Sequence, residues 1–129
     1  MKIEPVKLAF TTTAGGAATV TADTPVFGLI RAVEWNKGTA DNGVDATLSF
    51  TSGDTAVSKT VLTLSNADSS KWYYPHEIID DLTGVDLTFD GTRTLQTVPI
   101  LVNGTLQVVI AQGGNAKTGS MVVYVELVR

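Results

Sequence analysis

Val44, Ala46, Leu48 and Phe50 alternate with Asp45, Thr47 and Ser49, and this period of two returns in short runs along the whole chain. Successive strand side chains point to opposite faces, so such a run buries one face and wets the other only as a strand. Nowhere do apolar residues recur near every 3.6 positions over a dozen residues, and little or no helix is expected. Composition agrees: Thr (19) and Val (16) make up more than a quarter of the 129 residues. β-Branched side chains suit a pleated surface better than a helix.

Val6, Leu8 and Phe10 alternate with Lys7, Ala9 and Thr11, and Ala18, Val20 and Ala22 alternate with Thr19, Thr21 and Asp23. Gly15-Gly16 reads as the turn between them, so the first two strands are expected to form a hairpin. Residues 1–5 have no partner pattern and are expected as an N-terminal arm, with 6–129 forming one β-sandwich domain of ordinary size. Residues 26–35 are apolar on both faces, with Phe27, Leu29, Val33 and Trp35 on one and Val26, Ile30 and Ala32 on the other. A strand covered on both faces belongs in the middle of an assembly or under an oligomer contact. Residues 57–64 form a strand that alternates less cleanly. Val85, Leu87 and Phe89 read as a strand before the turn dipeptide Asp90-Gly91. Pro99 marks a sheet edge, Asn103-Gly104 is the best two-residue hairpin signal, and residues 121–127 close the chain as a core-facing strand. Ten or so short strands at near-regular spacing argue for an all-β, antiparallel sandwich or small barrel, jelly-roll-like in outline.

The formal charge of −4 and the lack of clustered Lys and Arg argue against a nucleic-acid partner. Glu77, Asp80, Asp81, Asp86 and Asp90 precede any base until Arg93 and read as a solvated acidic face. Cysteine is absent, which removes disulfides and thiolate sites. The N-terminus lacks the apolar run of a signal peptide, and no apolar stretch approaches membrane-spanning length, so synthesis in a cytoplasm and no membrane partner are expected. In Gly113-Gly114-Asn115-Ala116-Lys117-Thr118-Gly119-Ser120 the Lys precedes Thr-Gly and a strand follows, which is not a phosphate-binding loop. His76 is the single histidine; it has no companion for a metal site and no recognisable nucleophile context. No catalytic, cofactor-binding or metal-ligating residue is assigned, and enzymatic activity is not expected.

Three of the nine aromatic residues are consecutive in Trp72-Tyr73-Tyr74-Pro75-His76. Rings of this size bury the most surface per residue, so they lie against the core, a partner or a ligand. The stretch 72–81 alternates as a strand; a short helix opening at Pro75 is the alternative. Asp81-Leu82-Thr83-Gly84 reads as a turn. Tyr73, Tyr74, His76 and Trp35 are the interface candidates.

From Leu62 onward, the Trp72-Tyr73-Tyr74-Pro75 stretch is followed by an Asp90-Gly91-Thr92-Arg93 turn. The closing run then carries Gly104, Leu106, Val108, Ala111, Gln112 and Gly113. This order resembles a group of small virion structural proteins of tailed bacteriophages and prophages; where they more often carry Arg after the Pro, this chain has His76. The resemblance implies a head-associated decoration or cement protein on the outside of the capsid, made in the host cytoplasm. Its partners would be the major capsid protein or another virion protein and copies of itself, with no cofactor. A cyclic trimer is the first expectation, because closed rotational symmetry suits the local axes of a shell. The rival expectation is a carbohydrate- or receptor-binding module of a virion or cell surface using Tyr73, Tyr74 or Trp35. A small hydrolase would require converging ionisable groups.

Overall fold

The computed structural model describes residues 2–87 and 97–127. Phe89, the Asp90-Gly91 turn and the Asp90–Arg93 motif lie outside them. The described residues form ten strands and no helix. These are β1 (Lys2–Thr11), β2 (Ala18–Thr21), β3 (Val26–Asn36), β4 (Asp45–Ser52), β5 (Ser58–Leu64), β6 (Lys71–Tyr73), β7 (His76–Ile78), β8 (Thr97–Pro99), β9 (Leu101–Ala111) and β10 (Thr118–Leu127). All pairings are antiparallel, and the chain is the expected all-β sandwich.

One layer runs β1-β10-β3, with β6 and the start of β9 sharing the far edge of β3. The other consists of β2, β9, β4 and β5. Strand β9 belongs to both: Leu101 to Gly104 pair with β3, and Gly104 to Ala111 pair with β4. Asn103-Gly104 is therefore not a hairpin turn. A Cβ on Gly104 would stand 1.9 Å from the Thr51 carbonyl oxygen, so glycine serves the close approach of two backbones where β9 passes between layers.

Two local expectations fail because alternation specifies a face and not a partner. Strand β1 pairs with β10, and β2 pairs with β9 across the sandwich. The intervening turn is closed by Thr13 N–H donating to the Ala17 carbonyl at 2.9 Å, and Gly113 N–H donates to the Gly16 carbonyl at 2.8 Å. The expected N-terminal arm is likewise corrected. Lys2 to Pro5 extend β1, opposite Leu127 to Tyr124, a partner more than a hundred residues away that nothing local announces.

The doubly apolar pattern of 26–35 also has a physical explanation. The β3–β10 register shifts, with Tyr124 opposite Ala32 and Val125 opposite Ile30, so Arg31 is an extra residue, a β-bulge. The bulge reverses the phase: Val26 and Ile30 before it and Val33 and Trp35 after it are all buried. A second shift places Leu48 opposite Leu62 and Ser49 opposite Thr60. Val61 is the bulge there, which accounts for the imperfect alternation of β5. The resulting core draws on both layers, with Leu8, Ile30, Leu48, Leu106, Ile110 and Met121 fully buried. Each such side chain contributes roughly 1.5–3 kcal/mol of burial.

Candidate interaction surface

Trp35 is 1% exposed and is not a contact residue, which corrects its place among the interface candidates. Its ring stacks on Phe10 at 5.8 Å between centroids, and its Nε1–H donates to the Ala67 carbonyl at 3.0 Å. That carbonyl is held in place by the loop around it. Ala67 N–H donates to the Val44 carbonyl at 2.7 Å, Asn66 N–H to Asp45 Oδ1 at 2.9 Å, and Gly43 N–H to Asp68 Oδ1 at 2.6 Å. The polar bend after β5 is thus a brace that satisfies the one polar atom of the largest buried side chain.

The aromatic stretch is strand-like but broken at Tyr74-Pro75, where β6 leaves β3 and β7 begins. Its alternation holds across the break. Trp72, Tyr74, His76 and Ile78 are exposed, while Tyr73, Pro75 and Glu77 are partly or fully covered. Tyr73 packs against the core, with Lys71 Nζ 5.3 Å from its ring centroid. His76 Nδ1 lies 2.8 Å from the Tyr74 carbonyl oxygen; a carbonyl only accepts, so that nitrogen carries the proton. Glu77 forms an ion pair with Lys59 of β5, tying the excursion to the second layer. Trp72 stacks on Tyr124 at 5.4 Å, and Tyr124 donates its phenolic proton to Glu34 Oε1 at 3.1 Å. Burial raises the Tyr124 pKa above its ordinary value, and the Glu34 hydrogen bond and charge add to this.

The ladder registers show which residues share the outer face of the β1-β10-β3 layer. One row across the strands is Lys7, Val122, Glu34 and Trp72; the next is Pro5, Tyr124 and Ala32; the third is Ile3, Glu126, Leu29 and Leu101. Phe27 and Asn103 follow. Phe27 is 54% exposed, Leu101 55%, Trp72 47% and Ile3 42%. Arg31 at the bulge donates from Nε to Glu126 Oε1 at 2.5 Å. Beside Phe27, Pro25, Gly53, Asp54 and Asn103 line a shallow depression of 530 Å³. The outer face of the second layer differs. Thr47, Ser49, Thr51, Thr105 and Gln107 occupy its rows with Thr19 and Thr21 of β2, around an exposed Val109 and with Asp45 at one end. The candidates Tyr74 and His76 adjoin the first face, Tyr73 lies behind it, and Trp35 is in the core.

Beyond β7 a short hairpin projects. Asp81 N–H donates to the Val85 carbonyl at 2.7 Å, and Leu87 N–H to the Ile79 carbonyl at 2.8 Å. Asp81 Oδ1 accepts from Thr83 Oγ1 at 2.7 Å, Thr83 N at 2.8 Å and Val85 N at 3.1 Å. The Thr83 hydroxyl and these backbone donors lower the Asp81 pKa below its ordinary value. Leu82 at the tip is fully exposed. The turn is as the sequence predicts, whereas the shared outer face of Phe27, Leu101 and Tyr124 becomes evident only from the register.

Among the described residues no group of three or more His, Cys, Asp or Glu could hold a metal ion. The chemistry on offer at the aromatic face is non-covalent: ring stacking, apolar burial and paired charges.

No protein-family profile matches the chain, and no curated protein matches it. Among solved structures, it is similar to a chain from the structure of infectious bursal disease virus Gx strain. The identity is 17% over 98% of this chain and 37% of that one, with a TM-score of 0.29. A chain from the Gt strain structure gives 15% identity, 98% and 36% coverage, and a TM-score of 0.24. This chain spans little more than a third of the viral chains it matches, and likeness at these scores carries no conclusion about function.

Proposed function

We propose that this protein is a virion structural component, a head decoration or cement protein that binds the outer capsid surface as a homo-oligomer. The observation that supports the reading is the outer face of the β1-β10-β3 layer, where Phe27, Trp72, Leu101 and Ile3 remain exposed on contiguous strands. Exposed apolar patches of this kind mark contact sites. The order of motifs shared with small phage virion proteins gives the contact its biological setting. Many weak attachments made by a linked oligomer raise avidity by about 10²–10⁴ without new contacts, and cross-linking neighbouring capsomers would oppose expansion of the shell. The test is co-sedimentation with emptied heads stripped of accessory proteins. Saturable binding at a fixed number of copies per capsomer is expected, and no binding at micromolar protein would refute the role.

A second reading keeps one specific observation. Tyr73 and Lys71 border a 380 Å³ cleft with Asn66, Ser69 and Asp68, a polar hollow with a ring at its edge, as sugar binding requires. A shift in tryptophan fluorescence with a defined glycan would support it, and silence across a broad glycan panel would remove it.

A further inference from the structure

We infer that the outer face of the β1-β10-β3 layer is covered by the same face of a second copy, about a twofold axis lying in the face parallel to the strands between β10 and β3. The inference rests on the homo-oligomer part of the proposed function and makes the contact a pair in place of a trimer. Charge is the first argument. The chain carries −4, yet this face carries Lys7 and Arg31 against Glu34 and Glu126, so two copies meet here without net repulsion. Their arrangement is the second. The axis reverses each row on the partner: Lys7 comes opposite the partner's Trp72 and beside the partner's Glu34, and Arg31 comes beside the partner's Glu126. A cation over a ring and two opposite-charge pairs result. Size is matched as well, since Tyr124 comes opposite the partner's Ala32 and Ile3 opposite the partner's Leu101. Four strands at ordinary spacing and rise give a footprint of roughly 600 Å². With side-chain relief added, that approaches the ~800 Å² per partner of a specific interface. The second layer's outer face, mostly hydroxyls around Val109, lacks this balance of opposite charges and rings.

Sedimentation of the whole chain tests the pairing. Lys7→Glu and Glu34→Lys alone should each weaken the dimer by about tenfold or more, and the Lys7→Glu/Glu34→Lys double variant, which returns the charge pair but not the cation over the partner's Trp72, should restore it in part. Because the chain has no cysteine, Ala32→Cys supplies a unique thiol near the axis and should cross-link two copies through a short bifunctional reagent. Val109→Cys on the opposite face should not. A monomer at high concentration, a double variant no better than the singles, or equal cross-linking from both faces would overturn the pairing. If the chain stays monomeric while Lys7→Glu abolishes binding to heads, the face meets the shell instead, and the decoration role survives without the pair.

Discussion

At Gly104 one missing methyl group decides whether two layers can share a strand. Gly104→Ala would place a Cβ 1.9 Å from the Thr51 carbonyl oxygen, and backbone on both sides leaves nothing flexible to yield. A loss of about 1–3 kcal/mol or more is expected in urea denaturation. Trp35→Phe should keep most of the stack on Phe10 but leave the Ala67 carbonyl without its donor, a loss of about 1–3 kcal/mol by the same measurement. Tyr124 offers a spectroscopic test. Its folded pKa is raised, so the stability it contributes is present below the unfolded value of about 10 and is lost as pH rises through the folded value. Tyrosinate absorbance should show Tyr124 ionising above the ordinary tyrosine value, and Glu34→Gln should bring it earlier.

Bulges and edges determine how well the elements fit together. Deleting Arg31 puts Val26, Ile30, Val33 and Trp35 in one unbroken alternation opposite Tyr124 and Val125, so the buried face is kept and the cost, confined to the lost bulge twist and ion pair, should stay below about 3 kcal/mol. Arg31→Ala, which keeps the bulge and removes only an exposed ion pair, should cost less than about 1 kcal/mol. Pro5 interrupts the long edge strand β1. Thr12 N–H donates to Lys117 on the β10 side, and by alternation the nitrogen of Pro5 faces away from β10, where no ladder bond is lost. Pro5→Ala should leave stability nearly unchanged while raising the aggregation rate, because a donor returns to an open edge. The hairpin at Asp81 is acid-labile: its lowered pKa gives support that is present above about 3.9 and lost as pH falls through the folded value. Protection of the Thr83 and Val85 amides relative to the intrinsic exchange rate at each pH should fall across that range, and Asp81→Ala should remove this change in protection. The same elements show what was legible in advance. Period-two runs place β4 and β10 within a few residues, because burial of one face is written locally, and apolar content places β3 and β5 where bulges spoil the period. The partners of β1 and β2 and the path of β9 through Asn103-Gly104 were not legible, because pairing joins residues about a hundred positions apart. The aromatic stretch is legible as a contact candidate, whereas Trp35 is in the core, because the bulge at Arg31 brings it to the face that buries Val26 and Ile30.

Over the whole molecule the two outer faces differ in kind, one apolar with balanced charges and the other mostly hydroxyls, with Val109 among them and Asp45 at one end. This asymmetry suits a protein that closes one face against a second copy and leaves the rest of its surface to meet the shell. It also gives the proposed virion role a simple physical basis, since neither cofactor nor reactive group is needed to hold copies together on a shell. The most direct test is the protein composition of purified particles made by cells expressing this chain from its native genome. Quantitative mass spectrometry should find it in a fixed ratio to the major shell protein, retained through washing at moderate salt. Its absence from intact particles would contradict the account.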